Sequence, residues 1–373
     1  MNLLDAALVV VGLVLLVAGG EGLVRGASSI ARRLGLSPLV VGLTIVAIAT
    51  SSPEFAVTTG AVLRGQPELA VGNVVGSNIA NILLILGLSA LVLPLIARVR
   101  LVRIDVPVMV AISVLLLVLA LDGGISRWEG VLLLALFVAH MVWSVVTGRG
   151  DTEEEEEGAE PPLGVGRATL LVLGGVGLLV LGSQLLVDGA SSIASALGLS
   201  DLVIGLTVVA IGTSLPELAA SVVAVRRGER DLAIGNVVGS NIANIGLVLG
   251  LPSIIASGGI PVPAAAVALD IPLMIAVAVA LLPIAFTGFV IQRWEGALFL
   301  ALYLSYVTYL VLWATEHDAL EGFTSVMTIF VLPIVALTLL LFAVYEFGLL
   351  RGRAQAREPR TEEGEPSEHH ELR

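Results

Sequence analysis

The sequence predicts an all-α polytopic membrane protein in which two inverted repeats of five helices form a ten-helix core and an eleventh C-terminal transmembrane helix follows. Three observations carry this. The 373 residues are 57% hydrophobic and only 13% charged, with a mean hydropathy of +1.02, whereas a soluble domain carries about a quarter charged residues. Apolar runs close to the roughly 20 residues that cross a hydrocarbon core recur along the whole chain. The two halves also repeat each other at an offset of 163 residues.

In order, hydropathy places spans at 4–24, 38–62, 69–91, 104–121 and 129–146. Because 1–15 lacks a basic region and a small-residue cleavage motif, it reads as part of the first span and not as a signal peptide. An acidic stretch follows at 151–166, including the run Glu153 to Glu157. Five further spans lie at 168–187, 201–225, 232–253, 263–286 and 294–313, then a last one at 325–347. The expected organisation is a first repeat over 1–150, a cytoplasmic linker over 151–166, a second, inverted repeat over 167–315, an extra helix over 316–350 and a disordered tail over 351–373. Linker and tail hold 13 of the 31 acidic residues, so the net charge of −12 says little about the core. The linker lacks an EF-hand pattern and reads as solvated.

All 19 basic residues are Arg. With the N-terminus outside and the C-terminus cytoplasmic, 17 of them fall inside, Arg149 among them, and only Arg64 and Arg127 fall outside, as the positive-inside rule expects. A multi-pass protein of the cell membrane, with the lipid bilayer as its surroundings and no nucleic-acid partner, is the expectation. The chain has no cysteine, which removes disulfides, thiolate metal sites and thiol catalysis.

The repeats are close copies. GASSI at 26–30 returns at 189–193, VGLTIVAIAT at 41–50 returns as IGLTVVAIGT at 204–213, and GNVVGSNIANI at 72–82 returns unchanged at 235–245. An odd number of spans per copy makes the second copy enter the membrane from the opposite side. Secondary transporters use this plan, with substrate bound near the midplane where broken helices meet.

The chemistry concentrates in TSSPE at 50–54 and TSLPE at 213–217. Glu54 and Glu217 sit deep in their spans, where an acid costs about 2.5 to 3.5 kcal/mol on insertion scales. Pro53 and Pro216 remove an N–H and crowd the carbonyls of Ala49 and Gly212, so each helix should break there. The freed carbonyls, the Thr and Ser hydroxyls and the carboxylates are hard oxygen ligands suited to Ca2+ and Na+, with no His or Cys nearby to suit a transition metal. A Pro-kinked helix is common in membrane bundles, but retention of the acid in both copies argues for binding.

The third and eighth spans contribute Ser77, Asn78 and Asn81, and Ser240, Asn241 and Asn244, with Ser77 and Asn81 sharing a face, as do Ser240 and Asn244. The glycines of these motifs read as a packing seam. Asp105 and Asp270, each two residues before a proline, read as helix caps. Glu21 and Arg25 have the spacing of an intrahelical ion pair, and His140 reads as a packing residue.

These motifs resemble the two alpha-repeats of the cation/Ca2+ exchanger superfamily, and most closely its prokaryotic Na+/Ca2+ exchangers. The resemblance implies a ten-helix core in which the first and sixth helices slide against the other eight. It implies transport and not catalysis, with Ca2+ and Na+ as the transported ions and no cofactor. Carried over residue by residue, the implied ion ligands are Ala47, Thr50, Ser51, Glu54, Ser77 and Asn81, with Ala210, Thr213, Ser214, Glu217, Ser240 and Asn244. Two departures stand out. The first copy has Ala49 where Gly is usual, and Asn occupies both helix positions where several relatives place one Asp. The formal charge of the implied site is −2, which one Ca2+ or two Na+ would balance. A 3 Na+ to 1 Ca2+ ratio is an implication of the family alone. Ca2+/H+ exchange is the alternative within transport, opposed by the Thr-Ser-x-Pro-Glu form, and a Ca2+-permeable channel is the alternative of another class.

Overall fold

A computed structural model describes residues 3–148, 162–286 and 289–357. The helices are α1 (Leu3–Leu34), α2 (Pro38–Thr50), α3 (Ser52–Leu63), α4 (Pro67–Val92), α5 (Leu101–Ala120) and α6 (Arg127–Thr147). The second repeat gives α7 (Val165–Ala196), α8 (201–212), α9 (Leu215–Arg226), α10 (Arg230–Ile255), α11 (266–286) and α12 (Arg293–Ala314), and α13 covers 319–357. Among the described residues nine helices are long and apolar enough to cross a membrane, ten if the pair α2 and α3, bent by 45°, is one span. The expected count of eleven is therefore not reached by length and apolarity, because the break that divides 201–225 into α8 and α9 leaves two short pieces.

Contacts between distant loops test how those pieces cross. Four two-residue strands pair antiparallel across the repeats: β1 (Leu95–Ile96) with β4 (Val290–Ile291), and β2 (Gly124–Ile125) with β3 (Ile260–Pro261). Strands can pair only on the same side, so an even number of crossings must separate them. That parity holds for both pairs when α8 and α9 together cross once. Arg98 likewise meets Asp231, and Arg33 meets the Leu163 carbonyl.

Local chemistry sets the helix ends. Pro38 and Pro67 occupy first-turn positions, where a missing N–H costs nothing. Ser126 and Glu129 form a capping box at the start of α6, and Gln292 and Glu295 repeat it at α12. The Arg-Trp-Glu-Gly sequence at 127–130 and 293–296 is thus a further duplicated motif. α1 runs ten residues beyond its expected end at 24, because Arg32 and Arg33 in its last turn favour the helix dipole although they end the apolar run.

α1 and α7 lie antiparallel along a glycine seam. A Cβ at Gly12 would sit 2.7 Å from the Gly182 carbonyl oxygen, and one at Gly19 the same distance from that of Gly175. Without side chains the two backbones touch, which is how helices associate in lipid. α4 and α10 form the interior, with 83% and 94% of their apolar windows buried, against 6% for the window in α13. α13 therefore sits at the periphery.

Arg149 and the Glu153 to Glu157 run lie outside the described residues, as does the tail from 358. Residues 351–357, expected to be disordered, continue α13, and Val165 and Gly166 already belong to α7. Asp105 does not cap: it makes no side-chain capping bond, and its fully buried carboxylate lies 3.8 Å from Arg100 and 3.6 Å from His140. Glu21 reaches Arg227 on α9's end, across to another helix.

Candidate ion-binding site

Both broken helices fail where the prolines predict, within two residues of Ala49 and Gly212. α2 ends at Thr50, Ser51 turns the chain at ψ 8°, and α3 begins with Ser52 and Pro53. In the second copy Ser214 turns at ψ 5° ahead of Pro216. The Gly212 carbonyl accepts a hydrogen bond from Ser183 of α7. Glu54 and Glu217 consequently fall in the first turn of α3 and α9, where exposed N–H groups and the dipole favour a carboxylate.

The two breaks meet. Ser51 Oγ donates to Glu217 Oε1 at 3.3 Å, and Ser214 Oγ is 3.4 Å from both Glu54 Oε1 and Ser77 Oγ. The hydroxyls of Ser77 and Thr213 also interact with the Glu54 carboxylate, and that of Thr50 with Glu217. Both acids are fully buried and close enough to repel each other. Neither meets a basic side chain among the described residues, although a buried carboxylate costs several kcal/mol unless its charge is compensated.

Four acceptor oxygens at this place have no hydrogen-bond partner: Glu54 Oε2, Glu217 Oε2, Asn81 Oδ1 and Asn244 Oδ1, two from each repeat. Ser240 Oγ is a fifth buried, unpartnered oxygen. Buried acceptors are normally satisfied, so a symmetric set without a donor is what a cation requires. Among the described residues no group of three or more His, Cys, Asp or Glu side chains could by itself hold a metal ion. The donor set is hard oxygen throughout.

Ten of the twelve expected residues are buried, with Ala47 one turn before Thr50 and its carbonyl 3.0 Å from the Ser51 N–H. Thr213 is half-buried and Ala210 exposed. The exception follows from a difference in packing. α2 presses on α10, where a Cβ at Gly42 would lie 2.5 Å from the Leu232 carbonyl oxygen and one at Gly239 2.5 Å from that of Leu43. The equivalent glycines of the other pair, Gly205 on α8 and Gly76 on α4, would place a Cβ in open space.

Sequence reasoning missed Asn73 and Asn236. Asn73 Nδ2 donates to the Glu54 carbonyl at 3.2 Å and Thr58 Oγ1 at 2.9 Å, and Asn236 Nδ2 donates to the Glu217 carbonyl at 3.4 Å and Ser221 Oγ at 3.0 Å. Asn236 Oδ1 also accepts from Thr50 at 3.1 Å. The signal was present: Asn73 and Asn236 belong to the duplicated motif, and a hydroxyl follows each Glu by four residues.

Residues 4–146 and 167–312 match the family model described as sodium/calcium exchanger protein. The chain belongs to this family. It is 44% identical over 307 residues to the putative antiporter CaxA of Alkalimonas amylolytica, covering 80% of this chain and 96% of that protein. It is 33% identical over 349 residues to the sodium/calcium exchanger MaX1 of Methanosarcina acetivorans, covering 81% and 97%. Among solved structures it is similar to the sodium-calcium exchanger NCX_Mj soaked with 10 mM Na+ and 10 mM Sr2+, with a TM-score of 0.72, 36% identity, and coverage of 83% of this chain and 99% of that one. This family consists of transporters, so the chain is an exchanger-type membrane protein with the NCX_Mj fold, as the repeats implied.

Proposed function

We propose that the protein is a secondary active antiporter that exchanges Ca2+ for Na+ at one central site, and so serves Ca2+ extrusion. The observation that carries it is the set of four buried, unpartnered oxygens, two of them carboxylate and two from each repeat. Glu54 and Glu217 supply the charge that one Ca2+ or two Na+ balances. Ser51, Ser77, Ser214, Ser240, Thr50, Thr213, Asn81, Asn244 and the Ala47 and Ala210 carbonyls supply neutral oxygen. Obligatory exchange follows from the electrostatics. An empty site leaves two naked carboxylates in a low-dielectric interior, at several kcal/mol each, whereas a loaded site is neutral and can change its access.

The packing difference between the repeats supports alternating access. The contact between α2 and α10 is tight, whereas Gly205 on α8 and Gly76 on α4 face open space, with both carboxylates buried between them. Arg32, Arg33, Arg98, Arg227 and Arg230 lie toward the tight end, so the positive-inside rule makes that end cytoplasmic and the looser end external. Purified protein in proteoliposomes should take up radiolabelled Ca2+ when Na+ is higher inside, with a proton uncoupler making no difference. Uptake that follows only a pH gradient would assign Ca2+/H+ exchange, and unitary currents in single-channel recording would assign a channel.

A further inference from the structure

Asn78 and Asn241 belong to the duplicated motif but lie outside the ligand set, and their hydrogen bonds form a crossed lattice. Asn78 Nδ2 faces the Asn241 carbonyl at 3.2 Å and Met274 Sδ at 3.5 Å, while Asn78 Oδ1 accepts from Asn244 Nδ2 at 3.0 Å. The mirror image holds. Asn241 Nδ2 faces the Asn78 carbonyl and Met109 Sδ, each at 3.4 Å, and Asn241 Oδ1 accepts from Asn81 Nδ2 at 2.9 Å. All six side chains are 2% exposed or less.

The chemistry of the partners dictates which way every amide points. A backbone carbonyl and a thioether accept but never donate, so they must face the amide nitrogens of Asn78 and Asn241. Each of these residues therefore turns its oxygen toward the ligand asparagine of the opposite repeat. That oxygen can only take an N–H, so Asn81 and Asn244 present their own oxygens, the unpartnered Oδ1 atoms, to the site.

We propose that Asn78 and Asn241, oriented by Met274 and Met109, are positioning residues that force the amide oxygen of Asn244 and Asn81 toward the transported cation. A reversed amide would offer two N–H donors and repel it. The crossing also ties each repeat's ligand to the other repeat. The proposal rests on the site described above, but it concerns cation binding and not the coupling ion.

Its test is Ca2+ binding to purified protein by calorimetry, combined with transport kinetics. Asn241→Ala should weaken Ca2+ binding about tenfold, at the low end for residues behind a metal ligand, raising the KM for Ca2+ while the maximal rate is kept. In double-mutant cycles Asn241→Ala should be non-additive with Asn81→Ala and additive with Asn244→Ala, and Asn78→Ala should show the reverse. A packing role would couple Asn241 to Asn244, its neighbour on α10, and that result would overturn the proposal. Met109→Leu and Met274→Leu keep the volume and remove only the acceptor, so they report if the Ala variants misfold. Each should weaken Ca2+ binding, by less than tenfold, with the same crossed coupling; wild-type affinity in both would also overturn it. Wild-type protein that binds Ca2+ but shows no Na+-driven flux would sink the exchange reading and leave this one standing. A wild type that binds no Ca2+ sinks both.

Discussion

Ser51 of the first repeat places its hydroxyl 3.3 Å from the Glu217 carboxylate of the second. Ser214 returns the contact to Glu54 at 3.4 Å. Each acid is thus held by the break of the other copy. Ser51→Ala and Ser214→Ala should each raise the KM for Ca2+ by about tenfold, the equivalent of one hydrogen bond to a charged group of ~1.5 kcal/mol. The check is Ca2+ uptake kinetics for each variant. If only one serine mattered, the site would be lopsided and not shared.

The glycines predict which surfaces must close in turn. Gly239 is shut against Leu43, while its repeat partner Gly76 faces open space. In the opposite access state the roles should exchange, so Gly76→Ala should leave thermal stability as it is and still slow exchange several-fold. Gly239→Ala should slow exchange as well, by wedging the tight end apart. Normal turnover in Gly76→Ala would mean that α4 and α8 never approach.

Much of this was legible in the sequence. The repeat offset, the broken helices and the two glutamates could be read because each leaves a local signature: a duplicated string, a proline, an acid in an apolar run. What could not be read depends on partners remote in sequence. Asp105 looked like a cap beside Pro107, but it lies 3.6 Å from His140 of α6, as well as beside Arg100 of its own helical segment. Asn78 and Asn241 read as members of the ion-coordinating Asn and Ser set, whereas their side-chain oxygens accept from Asn244 and Asn81 of the opposite repeat. Identical strings at 72–82 and 235–245 also gave no hint that one would be packed tightly and the other left open.

Sidedness can be tested directly, because the chain has no native cysteine. Single cysteines at Arg32 and Ser257, both exposed, should react with a membrane-impermeant maleimide from opposite faces of the membrane. Position 257 should label from outside and position 32 only after the cells are opened. Labelling of both from one face would break the inverted topology.

Glu54 and Glu217 are expected to bind one Ca2+ together, and Na+-driven Ca2+ uptake by Glu54→Gln and Glu217→Gln tests this. Each substitution keeps the side-chain size and lowers the site from −2 to −1, which should release a divalent ion far more readily than a monovalent one. Either change alone should abolish Ca2+ uptake while the protein stays folded and retains some Na+ binding. If each variant instead kept about half of the wild-type flux, the two glutamates would serve independent sites and the account would be wrong.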